Sequence, residues 1–80
     1  MKKYRFYIAW MSESDSNCGE ENGINTQKDL ISEYIKGNES VDTWVFECEN
    51  EEMAYLLGYK EAFFMNYTAQ DSFSVVEEIK

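Results

Sequence analysis

Residues 51–67, EEMAYLLGYKEAFFMNY, hold the longest stretch of this chain compatible with a helix. The stretch contains no proline and a single glycine, Gly58. Glu51 and Glu52 open it, where the positive end of the helix dipole favours acids. At about 100° per residue, Met53, Leu56, Leu57, Phe63, Phe64 and Tyr67 share one broad arc, which the pattern predicts to face the core. Lys60 falls in the middle of that arc and must snorkel or meet an acid. Ala54, Gly58 and Ala62 line the other side at four-residue spacing, flanked by Tyr55 and Tyr59. Such a groove of small residues lets another backbone approach closely, either an earlier helix or a second copy of the chain. A helix apolar nearly all round is buried or shared with a partner.

Upstream, residues 4–11, YRFYIAWM, alternate with period two and are rich in strand formers. Tyr4, Phe6, Ile8 and Trp10 point one way, and Arg5, Tyr7, Ala9 and Met11 the other. With one charge in eight residues, this strand is expected to be central or covered on both faces. Residues 12–23, SESDSNCGEENG, read as a long polar loop. Residues 25–37 form a helical pattern with Leu30, Ile31, Tyr34 and Ile35 as its stripe. Asn25 or Thr26 is placed to cap it, and Gly37 to stop it in the left-handed conformation.

A second strand is predicted over residues 42–49, DTWVFECE, with Trp44, Phe46 and Cys48 inward and Thr43, Val45, Glu47 and Glu49 outward. Asn50 then caps the long helix with almost no linker. A third strand, Phe73–Ile79, carries acids suited to an edge or a fraying end. The order β-α-β-α-β in 80 residues predicts one α+β domain, a two-layer sandwich with a three-stranded sheet and both helices on one face. Its expected core joins Phe6, Ile8, Trp10, Leu30, Tyr34, Trp44, Phe46, Leu57, Phe63, Phe64 and Val75.

Composition narrows the function. Sixteen acids against seven bases give a formal net charge of −9. That disfavours direct nucleic-acid binding, which needs lysine and arginine on phosphates, and disfavours anionic membranes equally. With no histidine in the chain, Ser-His, Cys-His and His-based zinc chemistries are unavailable. Cys18 and Cys48 are too few for a zinc site of their own, and the four glycines match no phosphate-binding loop. Asp15 to Glu20 departs from a calcium loop in its glycine position and lacks the closing glutamate. About ten residues, YIAWMSESDSN, are similar to the strand-and-loop opening of TIR and resolvase domains, whose flavodoxin-like fold is too large for this length. No run is long enough to span a membrane, and none has a signal-peptide core. The expectation is a cytoplasmic, non-enzymatic protein without metal or cofactor, its thiols reduced.

Glu47, Glu49, Glu51 and Glu52 form the densest acidic cluster, with Asp42 nearby and Tyr55 and Tyr59 as aromatic anchors along the helix. Carboxylates about 6.8 Å apart on alternate strand positions can stand in for a row of phosphates. They are the expected binding face for a basic protein partner. Glu13, Asp15, Glu20 and Glu21 in the polar loop are the competing acidic surface. Small size, acidity and many tyrosines resemble, as a class, the inhibitors that phages and mobile elements encode against host defence, including anti-CRISPR proteins and DNA mimics. That resemblance implies a partner that handles nucleic acid and transfers no residue roles. The alternatives are a homo-oligomeric structural or accessory protein, such as a homodimer, paired through Ala54, Gly58 and Ala62, and a small-ligand sponge with a pocket between protomers.

Overall fold

A computed structural model describes residues 1–12 and 23–80. The elements are β1 (Lys2–Trp10), α1 (Asp29–Ile35), β2 (Asp42–Cys48), α2 (Glu51–Phe64) and β3 (Ser72–Ile79). The three strands form one sheet in the order β2-β1-β3, antiparallel at both junctions. This is the predicted α+β fold in the predicted order. β1 is central because both of its faces are apolar, while the acids of β2 and β3 are left to the two edges. Phe6 stands opposite Trp44 on one side and Val76 on the other, which fixes the register of the sheet.

The helices lie on opposite faces of the sheet, not on one. Tyr4, Phe6 and Ile8 pack with Ala54, Ala62, Tyr67 and Val76 beneath α2. Tyr7 and Ala9 pack with Leu30, Ile24 and Val41 beneath α1. The reason is the alternation of β1 itself: two consecutive apolar faces require two covers, and a strand sends successive side chains to opposite sides. The expected single core is therefore two. Leu30, Tyr34 and Val75 belong to the α1 side, and Trp10, Trp44, Phe46 and Leu57 to the α2 side.

α2 also sits the other way round from its apolar arc. Ala54, Gly58 and Ala62 are its buried residues, whereas Leu56 is 70% exposed, Phe64 79% and Phe63 50%. Phe63 and Phe64 thus leave the predicted core. Volume decides the orientation. The sheet face already carries the rings of Tyr4, Phe6, Trp44 and Phe46, so a close-packed layer above it needs small residues. A methyl group added at Gly58 would collide with the Phe6 ring. Tyr55 and Tyr59 straddle that ring edge-on, at centroid distances of 6.1 and 5.5 Å. The Ala54, Gly58 and Ala62 groove is consequently filled by the molecule's own sheet and is closed to a second copy.

Local signals explain most of the element ends. Asn50 caps α2, its side-chain oxygen accepting from the backbone N–H of Met53 at 3.0 Å. Gly37, at φ +90°, and Asn66, at φ +69°, are the left-handed residues that follow the two helices. The start of α1 differs from expectation. Its cap position is Lys28, with no side-chain hydrogen bond, and the Thr26 hydroxyl instead donates to the Asp29 carboxylate at 3.0 Å. The helix is shorter than its pattern, seven residues, because Gln27 and Lys28 enter as a turn and Lys36 and Gly37 leave as another.

Candidate acidic interface at the junction of β2 and α2

The chain reverses between Cys48, the last residue of β2, and Glu51, the first of α2. Cys48 is a buried free thiol that donates to the Asn50 carbonyl at 3.4 Å, and the Asn50 side chain in turn caps α2. These two bonds hold the reversal tight, so four carboxylates emerge at one corner of the molecule. Glu47, Glu49, Glu51 and Glu52 are all exposed. Glu47 stands opposite Lys3 on β1, with Nζ 3.9 Å from its Oε1 and both side chains more than half exposed. Among the described residues no other ion pair reaches these four acids. Behind them lies a shallow hollow lined by Met1, Cys48, Met53 and Leu57.

Three of the expected site residues are elsewhere. Asp42 begins β2 and lies opposite Ile8, while Glu47 lies opposite Lys3, so the length of the strand, roughly 17 Å, separates it from the corner. Its carboxylate accepts a 2.6 Å hydrogen bond from the Tyr67 hydroxyl. Asp42 is thus a structural acid that ties the end of α2 to the sheet. Tyr55 and Tyr59 lean toward β3, on the opposite flank of α2 from Cys48. The Tyr59 hydroxyl shares a hydrogen bond with Ser74, and the Tyr55 hydroxyl meets the backbone of Val76. Burial, and then the charge of Glu51, raise the Tyr55 hydroxyl above the usual tyrosine value. Both rings are half-buried and stacked on each other at 6.3 Å, so they brace the helix and offer only their edges. Glu49 falls just beyond β2, so the row of carboxylates runs round a turn and not along one strand. Glu13, Asp15, Glu20 and Glu21 lie outside the described residues.

The apolar arc of α2 that the sequence pattern placed inside is instead exposed. Met53, Leu56, Phe63 and Phe64 stand on the solvent side of α2, with Lys60 among them. The signal was present in the four-residue spacing of the small residues, once the bulk of the sheet's aromatic face is weighed against it. Among the described residues no three His, Cys, Asp or Glu side chains are placed to hold a metal, and no helix is long and apolar enough to cross a membrane. Comparison of the chain with protein-family models, with curated proteins and with solved structures finds no match.

Proposed function

We propose that this protein is a small acidic binding module that docks on a basic protein surface through the carboxylates at the β2–α2 junction. The basic surface is of the kind that handles nucleic acid, and occupying it makes the module an inhibitor of that partner. One observation carries this reading: Glu47, Glu49, Glu51 and Glu52 are exposed together, and among the described residues the one ion pair that reaches them is the solvated 3.9 Å contact of Glu47 with Lys3. Four like charges at one corner repel each other, and a positive groove relieves that repulsion on contact. The tight reversal through Cys48 and Asn50 fixes the backbone that carries them, so docking orders their side chains and not the turn itself.

The test is charge reversal by region. Wild type, Glu47→Lys/Glu49→Lys/Glu51→Lys and a control reversal on β3, Glu77→Lys/Glu78→Lys, are used as bait in a bacterial lysate at low and high salt. The expected result is a defined basic partner held by wild type and by the β3 variant, released by salt, and absent from the junction variant. A partner retained equally by both variants contradicts the proposal.

A further inference from the structure

We infer that the outer face of α2 is the seam of a homodimer, in which two copies of α2 pair antiparallel about a two-fold axis level with Gly58. Met53, Leu56, Lys60 and Phe63 recur at spacings of three and four, the pattern of a two-helix seam, with Leu57 and Phe64 along its flank. All six side chains lie on the side of α2 away from the sheet or at its margin. Leu56 is 70% exposed, Phe64 79%, Phe63 50% and Met53 42%. α2 contacts only the three strands, so no other described element covers this face.

The exposed apolar surface amounts to on the order of 500 Å² per copy, toward the upper end of the largest patch a typical monomer leaves, a size that is often functional. Two copies would bury about 1,000 Å², the size at which a specific interface begins. That is enough for a concentration-dependent dimer.

Charge selects the occupant and the direction. Lys60 is the one cation of α2; of its three acids, Glu51 and Glu52 sit at the opposite end, and Glu61, next to Lys60 in sequence, falls about 100° round the helix from it and off the seam. A parallel pair would stack Lys60 on Lys60 and Glu52 on Glu52. The antiparallel register sets Met53 against Phe63 of the second copy, and Leu56 against Lys60 of the second copy. The Lys60 stem then crosses Leu56, and its ammonium comes level with Glu52, one turn and about 6 Å along the axis. The two-fold repeats this pair, so a side chain that looks misplaced in an apolar stripe becomes the element that fixes register. This interface goes beyond the junction site: it shares Glu52 with that site and leaves Glu47 and Glu49 free. A net charge of −9 on each copy also makes its salt response opposite: screening strengthens the dimer, whereas it weakens docking on a basic partner.

Sedimentation equilibrium of the full chain over a wide concentration range tests the inference. Wild type is expected to be a dimer that dissociates on dilution and tightens with salt. Phe63→Glu is expected to be monomeric with an unchanged circular dichroism spectrum. Lys60→Glu and Glu52→Lys should each weaken association by about tenfold or more, because each places like charges together twice. The double exchange Glu52→Lys/Lys60→Glu should restore it. A wild type that stays monomeric at the highest concentration overturns the dimer and leaves the junction proposal standing. A double variant no tighter than either single variant overturns the antiparallel register.

Discussion

Gly58 of α2 lies directly on the ring of Phe6 in β1, with no room between them for a methyl group. This contact sets which side of α2 meets the sheet, and through that which side chains face outward. Alanine at this position gains roughly 1 kcal/mol of helix propensity over glycine. Overpacking against a fully buried ring costs about 1–3 kcal/mol. Gly58→Ala should therefore be destabilising on balance, and Gly58→Leu should prevent folding. Urea denaturation measures both; a Gly58→Ala variant more stable than wild type would show that α2 is not seated on Phe6.

Phe64 provides the opposite case. It is 79% exposed, so Phe64→Ser should change the stability of the dilute, monomeric protein by no more than about 0.5 kcal/mol, the range of ordinary surface substitutions. A buried phenylalanine truncated to a small residue loses about 3–5 kcal/mol. Thermal or urea melting at low concentration separates the two outcomes.

These two residues also show how far the sequence could be read. Period-two alternation located β1 and β2, and Asn50 and Gly37 marked helix ends, because such signals are local to the chain. The position of the acidic corner followed from the same local signals. The facing of α2 was not legible in the same way. A count of apolar residues round a helix favours the larger side chains, whereas packing depends on the volume already supplied by the opposing layer. Phe6, Trp44 and Phe46 supply that volume from two strands, and their neighbourhood is set by strand order. The placement of α1 on the other face depended on the same topology. So did the separation of Asp42 from Glu47, at the two ends of one strand.

Asp42 and Tyr67 should behave as a unit. Their 2.6 Å hydrogen bond is charge-assisted and part-buried, and Tyr67 also stacks on Trp10 at 4.9 Å. Tyr67→Phe keeps the stack and removes the bond, at a cost of about 1–3 kcal/mol. Asp42→Asn should cost a similar or smaller amount, and the double variant less than the two together. Strict additivity in urea denaturation would mean that the bond contributes nothing to stability.

Tyr7 should make the fold sensitive to strong base. Burial, and then its hydrogen bond to Glu77, raise its hydroxyl above the ordinary value of 10.0. The folded state thus holds this proton more tightly than the unfolded chain does. Its contribution is fully present below pH 10 and is lost as the pH rises through the raised value. Tyr7→Phe should lose less stability than wild type between neutral pH and that range. Parallel pH–stability curves for the two proteins would contradict this assignment.

The exposed pair of Lys3 and Glu47, at 3.9 Å, should matter little to folding. Lys3→Ala should shift stability by less than about 1 kcal/mol. By removing the one cation that is ion-paired with these four acids among the described residues, it should also strengthen docking on a basic partner, which a binding titration would detect as a lower Kd.

The association rate of the captured partner, measured by stopped flow at low and at high salt, tests the role of the acidic corner most directly. For wild type the rate should be fast at low salt and fall steeply as salt rises. Reversing Glu47, Glu49 and Glu51 to lysine should lower the low-salt rate and flatten the salt dependence, while reversing Glu77 and Glu78 should leave most of both. A rate indifferent to salt and to the junction reversal would contradict the account and place the contact away from the corner where β2 meets α2.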